Sequence, residues 1–198
     1  MKKDILLAGV GGQGILSIAA IIGYAAVNEE LYIKQSEVHG MSQRGGEVQS
    51  HVRISDKPIF SDLIPRKEAD IILSMEPMEG LRYTSYLNDG GWFISNQSPF
   101  INISNYPDKE EIIKEIKQLQ HHILIDADNI AKELSATRSV NMIMLGAAAP
   151  LLDLPIEKLE GGIQQIFKSK GANIIQKNID AFQKGKAYTE KQIATIKT

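Results

Sequence analysis

The sequence predicts an α/β domain in which helices cover both faces of a sheet. Two observations lead to this prediction. Short apolar runs of strand length alternate with longer helical patterns along most of the 198 residues, and a glycine-rich turn joins the first such run to the first helix. Hydrophobic residues make up 43% of the chain and charged residues 23%, which is enough apolar material for a sizeable core.

The amino-terminal part has the order strand, helix, strand. Residues 5–8 form a short apolar run that stops at a glycine, and residues 15–27 are apolar almost all round and long enough for a buried helix. Residues 31–35 then have the pattern of a second short strand. This order is typical of a βαβ unit, which predicts that the two strands form a parallel pair with a right-handed crossover.

The middle of the chain departs from simple alternation. Residues 48–54 alternate apolar and polar side chains with a period of two, a turn follows at 56–58, and residues 59–60 begin a return strand, so we expect a hairpin here. Further strand-like runs are at 69–75, 92–95 and 122–125. The sequence therefore predicts a three-layer α/β/α, Rossmann-like domain with a mostly parallel, mixed sheet.

The remaining helices are predicted from periodicity and from proline and glycine signals. Helical patterns lie at 108–119, 139–152, 155–168 and 173–184. We expect one domain over residues 1–185 and a polar, loosely held tail over residues 186–198. The single tryptophan, Trp92, is expected in the core.

Composition excludes several classes of function. The formal net charge is −2, which does not indicate a nucleic-acid-binding surface. The chain has no cysteine, so it can supply neither a disulfide nor a thiolate ligand for an iron–sulfur cluster. The longest apolar run in the later part of the chain, residues 142–152, is well short of the roughly 20 residues that span a bilayer. Without a signal-peptide pattern either, the chain is expected to be cytoplasmic, with no membrane partner.

The first candidate site is a glycine loop between the first strand and the first helix, with the spacing G-x-G-x-x-G. Glycines let the backbone turn sharply and bring its amides and the helix N-terminus close to an anion such as phosphate. The candidate residues are Gly9, Gly11, Gly12, Gln13 and Gly14. A tight turn without a ligand is one alternative. An NAD(P)-dependent enzyme is another, because Glu37 stands roughly 20 residues beyond the loop, where dinucleotide sites place an acid.

The second candidate site is a polar, glycine-rich segment that follows the second strand, at the edge where the glycine loop should also lie. Its ligand- or partner-facing candidates are Glu37, His39, Gly40, Met41, Ser42, Gln43, Arg44, Gly45 and Gly46. Arg44 can hold a phosphate or carboxylate through two parallel hydrogen bonds, and His39 can exchange a proton near neutral pH. The alternative is a solvated loop with a structural arginine.

Two weaker candidates lie elsewhere in the chain. Glu76 follows a buried strand, which makes it either a site residue at a strand end or a plain charge at a helix N-terminus. His121 and His122 precede a strand that is followed by Asp126 and Asp128. No third metal ligand is placed by the sequence, so a strand-edge pair and a helix cap at one of the aspartates are favoured, and no metal site is predicted.

The two motifs together closely resemble the gamma domain of 2-oxoacid:ferredoxin oxidoreductases. The resemblance rests on Gly-Val-Gly-Gly-Gln-Gly-Ile-Leu at 9–16, Lys-Gln-Ser-Glu-Val-His-Gly-Met-Ser-Gln-Arg-Gly-Gly at 34–46 and His-Val-Arg-Ile-Ser at 51–55. Within that family, the form at 37–46 is similar to the beta subunit of indolepyruvate:ferredoxin oxidoreductase. The resemblance covers residues 1–150, and the helical end is compatible with it.

The resemblance implies a function that needs a partner. The family decarboxylates a 2-oxoacid on thiamine diphosphate, passes two electrons through iron–sulfur clusters to ferredoxin and releases an acyl-CoA. An alpha subunit is then expected to hold thiamine diphosphate, magnesium and the clusters, with CoA as co-substrate and aryl pyruvates, above all indolepyruvate, as substrates. No cofactor is expected on this chain alone. A non-catalytic subunit that only supports assembly is the alternative within this interpretation.

Overall fold

The computed structural model describes residues 1–40, 45–101 and 103–196, and these residues form one six-stranded sheet and seven α-helices. The strands are β1 (Lys2–Val10), β2 (Tyr32–His39), β3 (Glu47–Ser55), β4 (Ala69–Ser74), β5 (Leu87–Asn96) and β6 (His122–Ile125). The helices are α1 (Ile15–Val27), α2 (Pro77–Leu81), α3 (Lys109–Lys117), α4 (Ala127–Glu133), α5 (Val140–Ala148), α6 (Ile156–Phe167) and α7 (Ala172–Ile196).

The sheet is mixed, as the sequence predicts. Its strand order is β2-β3-β1-β4-β5-β6. Strands β1, β4, β5 and β6 pair in parallel and form the parallel half of the sheet. Strand β3 is antiparallel to both of its neighbours, β1 and β2. We refer to β2 and β3 as the ribbon; β2 is its free edge.

Two details of the predicted topology are wrong. Strands β1 and β2 do not form a parallel pair, because β3 lies between them and pairs with each over eight or more residues. The hairpin partner of β3 is β2, and residues 59–60 form no strand. The physical reason is that the short connection between β2 and β3 favours local antiparallel pairing, which the βαβ pattern does not reveal.

The segment after β3 is held by a buried ion pair instead of strand pairing. Arg53 binds the carboxylate of Asp4 through two contacts, from Nε at 2.8 Å and from the guanidinium NH2 group at 3.1 Å. The NH1 group of Arg53 donates to the carbonyl oxygens of Ser61 and Leu63. Asp4 is only 1% exposed. One side chain therefore joins β1, β3 and the following loop.

The core has a layer on each face of the sheet. Along β1, Ile5 and Leu7 point to the face covered by α1 and by the carboxyl-terminal helices, while Leu6 and Ala8 point to the face covered by α2 and α3. This alternation is that of a strand buried on both sides. Trp92 is partly buried and packs against the first layer, which agrees in part with its expected place in the core.

The predicted polar tail is wrong at the level of secondary structure, because α7 continues to Ile196. Thr189 is fully buried, and the hydroxyl of Tyr188 donates to the carbonyl oxygen of Leu124 at 2.7 Å. The polar composition hid this packing, since buried positions recur only at helical spacing. None of the helices in the described part of the chain is both long and apolar enough to cross a membrane.

Candidate functional site

A polar cleft lies at the carboxyl edge of the parallel strands, where open α/β sheets place ligands. Its volume is about 350 Å³. The glycine loop, the ends of β4 and β5 and the first residues of α4 and α5 line the cleft. The lining residues are Gly12, Gln13, Met75, Asn96, Ser98, Pro99, Phe100, Asp128, Thr137, Arg138, Val140 and Asn141.

The glycine loop is shaped by two glycines with different surroundings. Gly14 is the N-cap of α1 and has a φ of 81°, and a Cβ there would lie 2.4 Å from the Nδ2 atom of Asn141. Gly12 has a φ of 100°, and a Cβ there would meet nothing within 4 Å. Gly14 is therefore needed for both conformation and packing, whereas Gly12 leaves open space beside the cleft.

Gln13 connects the loop to the neighbouring strand end. Its Oε1 accepts a hydrogen bond from the Val10 amide at 2.8 Å, and its Nε2 donates to the carbonyl oxygen of Met75 at 3.4 Å. The side chain thus holds the turn after β1 against the end of β4. Of the predicted loop residues, Gly12 and Gln13 line the cleft directly.

The two sequence motifs meet, as expected from their positions at strand ends. The amide of Gly11 donates to the carbonyl oxygen of Gly46 at 2.8 Å, and the Gly45 amide donates back to the carbonyl oxygen of Gly11 at 3.5 Å. The amide of Gly40 closes the connection between β2 and β3 by donating to Glu47 O at 2.9 Å. The candidates Met41, Ser42, Gln43 and Arg44 lie outside the described residues.

Glu37 and His39 form a pair at the end of β2. His39 Nε2 lies 2.5 Å from Oε1 of Glu37. The Glu37 side chain is 11% exposed and that of His39 is 51% exposed. Within the described residues, neither carboxylate oxygen of Glu37 has a hydrogen-bond partner of good geometry, so the imidazole is its one charged or polar contact.

Glu37 does not occupy the position of the acid in a dinucleotide site. In such sites the acid ends the strand next to β1, where it reaches the ribose of a ligand on the glycine loop. Here Glu37 pairs with Ser50 of β3, and Ser50 pairs in turn with Leu7 of β1. The inserted strand separates Glu37 from β1 by about 10 Å, two strand spacings. The geometry therefore does not support the NAD(P) alternative.

Glu76 is used in the structure as a helix cap. Its side chain is almost fully buried and accepts hydrogen bonds from the amides of Glu79 at 2.8 Å and Phe100 at 3.3 Å, and from the Tyr106 hydroxyl. Burial and the Glu76 carboxylate raise the pKa of Tyr106, which therefore stays a neutral donor. These contacts support the structural alternative for Glu76.

The histidine pair at the start of β6 is also structural. His121 stacks on Trp92 with ring centroids 5.1 Å apart, and His122 Nδ1 lies 2.8 Å from the carbonyl oxygen of Leu119. Asp126 caps α4 by accepting from the Asn129 amide. In the described ranges, no group of three or more histidines and acidic side chains is placed to hold a metal ion. Both histidines lie at the sheet edge opposite the cleft.

The family of the chain follows from comparison with known proteins. The family model described as pyruvate ferredoxin/flavodoxin oxidoreductase matches residues 4–188. The chain belongs to this family. Its members are oxidoreductases that act on oxo groups, transfer electrons to an iron–sulfur protein and work as complexes.

Relatives within the family are subunits of named enzymes. The "Indolepyruvate oxidoreductase subunit IorB" of Archaeoglobus fulgidus is 34% identical, and the match covers 93% of this chain and 94% of the relative. The "Pyruvate/ketoisovalerate oxidoreductases common subunit gamma" of Thermococcus kodakarensis is 30% identical, over 83% of this chain and 86% of that relative.

Solved structures of the family share the fold. The 2-oxoglutarate:ferredoxin oxidoreductase of Magnetococcus marinus, determined with 2-oxoglutarate, coenzyme A and succinyl-CoA bound, superposes with a TM-score of 0.76 at 23% identity. The match covers 96% of this chain but 31% of that longer chain. The fold assigned to this family member from its sequence is therefore confirmed.

Sequence patterns missed part of the site. Asn96 ends β5, donates to Asp128 at 2.8 Å and accepts from the Ala127 amide at 3.2 Å, so it joins a strand end to the start of α4. The signal that could have found it is its position at the end of a buried strand. Arg138 and Asn141 also line the cleft, but they follow no strand, and only the packing of α5 brings them there.

A second missed feature fastens the ribbon to the parallel half. The hydroxyl of Tyr83, just after α2, donates to the carboxylate of Glu47 at the start of β3. Burial, and then Glu47, raise the pKa of Tyr83. Burial also raises the pKa of the nearby Glu79, although Arg82, whose Nε lies 3.0 Å from its Oε2, opposes that shift. Tyr83 and Glu47 are 36 residues apart, so no local pattern relates them.

Proposed function

We propose that this chain is the accessory subunit of an aryl-pyruvate:ferredoxin oxidoreductase, with indolepyruvate as the leading substrate. The observation that carries the proposal is the near-full-length similarity to indolepyruvate oxidoreductase subunits, at 34% identity over 93% of the chain. The matches to pyruvate/ketoisovalerate subunits are less identical, at 30% over 83% of the chain and 29% over 93%. The segment at residues 37–46 also resembles the indolepyruvate form.

The chemistry of this chain supports a division of labour with a larger alpha subunit. The sequence has no cysteine to ligate a cluster and lacks the Gly-Asp-Gly segment that thiamine-diphosphate domains use. Its residues therefore do not fit either cofactor. We assign thiamine diphosphate, magnesium and the iron–sulfur clusters to the partner. The complex would convert the 2-oxoacid and CoA to an acyl-CoA and CO₂ and reduce ferredoxin by two electrons.

We assign the part that this chain takes in the reaction to the carboxyl edge of its sheet. The glycine loop and the start of β3 are fastened to each other there, and the cleft beside them is lined by amides, one carboxylate and Arg138. Glycine backbone and the N-terminus of α1 suit anionic oxygens. We assign this edge to contacts with the partner and with anionic groups of the reactants, including CoA. Among the described candidates, we assign the glycine loop, Glu37, His39 and Gly40 to this surface.

Reconstitution tests the proposal. The chain, the candidate alpha subunit and their mixture are each assayed for ferredoxin reduction that depends on both indolepyruvate and CoA. We expect activity from the mixture alone, with aryl pyruvates preferred over pyruvate. Activity of the pure chain by itself would refute the assignment. Full activity of the alpha subunit without this chain would instead favour the assembly-only alternative.

A further inference from the structure

We propose that Glu37 orients His39 so that the imidazole hydrogen-bonds an anionic oxygen of a reactant in the assembled enzyme. The proposal rests on the proposed function, because it concerns a contact made in that complex. The observation behind it is the 2.5 Å contact between His39 Nε2 and Glu37 Oε1 at the carboxyl end of β2. In this pair the carboxylate is buried and the imidazole is half-exposed.

The burial of Glu37 is costly for a residue on an edge strand. A carboxylate taken out of water loses its hydration, and this loss must be offset by hydrogen bonds or by an opposite charge. In the part of the chain that the structure describes, Glu37 has neither a backbone amide nor a lysine or arginine contact to offset it. Its one ion-pair contact among the described residues is with His39. The fold of β2 alone gives no reason to bury this carboxylate, unless the carboxylate serves to orient the imidazole.

A carboxylate on one ring nitrogen is the usual way to fix an imidazole. A carboxylate held against Nε2 favours one tautomer and one rotation of the ring, and it leaves Nδ1 for a second partner. Half of the His39 side chain is exposed, and among the described residues its one polar contact is the one with Glu37. The free nitrogen is thus available to a group that comes from outside this chain.

The position of His39 relates it to the glycine loop. His39 pairs with Val48 of β3, and Val48 pairs with Gly9 of β1, so the three residues lie level across the sheet on one face. This is the face covered by α1, since a Cβ on Gly9 would contact Ile15 of that helix. His39 therefore stands about 10 Å from the loop, two strand spacings away, at the same carboxyl edge.

The reactants of the proposed reaction supply a suitable group in two ways. A 2-oxoacid carries a carboxylate and CoA carries phosphates, and both present anionic oxygens to an N–H donor. His39 can donate one hydrogen bond, either to the carboxylate of the 2-oxoacid or to a phosphate of CoA. The two sources can be told apart because a lost contact raises the KM of the reactant that made it and leaves the KM of the other unchanged.

The test uses the reconstituted complex with His39→Ala, Glu37→Gln and the double variant. The control is Lys34→Gln on the same strand, whose side chain points to the opposite face and donates to the carbonyl oxygen of Phe60. For each complex we measure kcat, the KM of indolepyruvate, the KM of CoA, the melting temperature and the extent of assembly. Glu37→Asp keeps the carboxylate on a shorter side chain, and we compare it with Glu37→Gln to see whether the contact with His39 is kept in part.

We expect both single variants to raise the same KM by about tenfold to a hundredfold, the value of one charge-assisted hydrogen bond. The double variant should be no worse than His39→Ala, because Glu37 acts through His39. Assembly, melting temperature and the Lys34→Gln control should match the wild type. A raised KM for indolepyruvate identifies the carboxylate as the ligand, and a raised KM for CoA identifies a phosphate.

Three results would overturn the proposal while leaving the proposed function intact. They are wild-type kinetics in an assembled His39→Ala complex, additive losses in the double variant, and losses in every parameter that follow a lowered melting temperature. The last would make the pair a device that fixes the register of β2. An inactive wild-type complex would instead overturn the proposed function, and this proposal with it.

Discussion

The two halves of the sheet use their polar side chains differently. In the parallel half, the carboxylates at the strand ends are occupied within the chain: Glu76 caps α2, and Asp128 accepts from Asn96. In the ribbon, Glu37 and His39 have only each other among the described residues. The fold uses these carboxylates of the parallel half, whereas the Glu37–His39 pair is the one that we propose to contact a group from outside the chain.

The two halves also differ in burial. The strands of the parallel half are covered on both faces. Strand β2, at the free edge of the sheet, exposes five of its eight residues. In addition to the pairing of β3 with β1, three specific contacts join the ribbon to the rest of the protein: the Asp4–Arg53 ion pair, the Tyr83–Glu47 hydrogen bond and the Gly11–Gly46 backbone contact. Removing these contacts one at a time shows how far the ribbon depends on them.

The largest effect is expected for Arg53→Ala. The substitution leaves the Asp4 carboxylate buried without its main partner, which typically costs about 3–5 kcal/mol in the free energy of unfolding. Denaturant unfolding measures this loss. The control is Glu68→Gln, which removes an exposed partner of Lys2 and should cost about 0–1 kcal/mol. Equal losses in the two variants would mean that the ribbon is not held by this pair.

The next effect is expected for Gly14→Ala, with Gly12→Ala as its matched control. Both residues have positive φ, so both variants incur backbone strain of about 1–2 kcal/mol. Only the Cβ at position 14 would also displace Asn141, whose amide donates to Gly14 O. We expect Gly14→Ala to lower the free energy of unfolding by about 1 kcal/mol more than the control. A larger loss for Gly12→Ala would contradict the geometry of the loop.

A smaller effect is expected for Tyr83→Phe. The variant keeps the ring but removes the hydroxyl that donates to Glu47, a bond to a charged acceptor worth about 1.5 kcal/mol or more. Tyr32→Phe, at the exposed start of β2, is the control and should be neutral. If both variants melt like the wild type, α2 does not hold the start of β3.

The smallest effect concerns pH. Burial of His51, and then the charge of Arg53, lower the pKa of its imidazole, and Nδ1 accepts a hydrogen bond from the Ile64 amide at 3.1 Å. The unfolded chain, with a histidine pKa of about 6.5, binds this proton more readily than the folded one. The contribution of His51 to stability is therefore complete above pH 6.5 and is lost as the pH falls towards the lower folded pKa.

This contribution is measured with unfolding curves of the wild type and of His51→Gln between pH 7.5 and pH 5. This is about the pH range in which the lowered pKa of His51 makes the folded and unfolded chains differ in protonation. The difference between the two curves should shrink as the pH falls. Glu79 has the opposite sign, because its raised pKa gives a contribution present at low pH and lost as the pH rises through its folded value. The contribution of Glu79 is the same in the wild type and in His51→Gln, so it cancels in the difference between their curves. Parallel curves would show that His51 is not buried as described.

Most of the fold could be predicted because it depends on local patterns. The buried run before the glycines, the apolar stretch of α1 and the short strand β6 each fill a window of a few residues. The insertion of β3 between β1 and β2 could not be predicted, since nothing in the pattern of either strand specifies its neighbour. The extension of α7 was missed because the partly buried Tyr188 and the fully buried Thr189 lie amid polar neighbours.

The site was predictable only in part for the same reason. The glycine loop and the segment at 36–46 are continuous motifs, and their meeting at one sheet edge follows from both lying at strand ends. The pairing of Glu37 with His39 follows from their spacing, because residues two apart on a strand share a face. Asn96 and the pair Arg138 and Asn141 come from two separate parts of the chain and converge only through packing.

The measurement that most directly tests the assignment of function to the carboxyl edge is amide hydrogen exchange of the chain alone and in complex with its alpha subunit. We expect complex formation to slow exchange in the glycine loop at residues 9–14 and at the end of β2, residues 36–40, and to leave β6 unchanged. Slowed exchange confined to β6 and α3, with residues 9–14 and 36–40 exchanging as in the free chain, would contradict it.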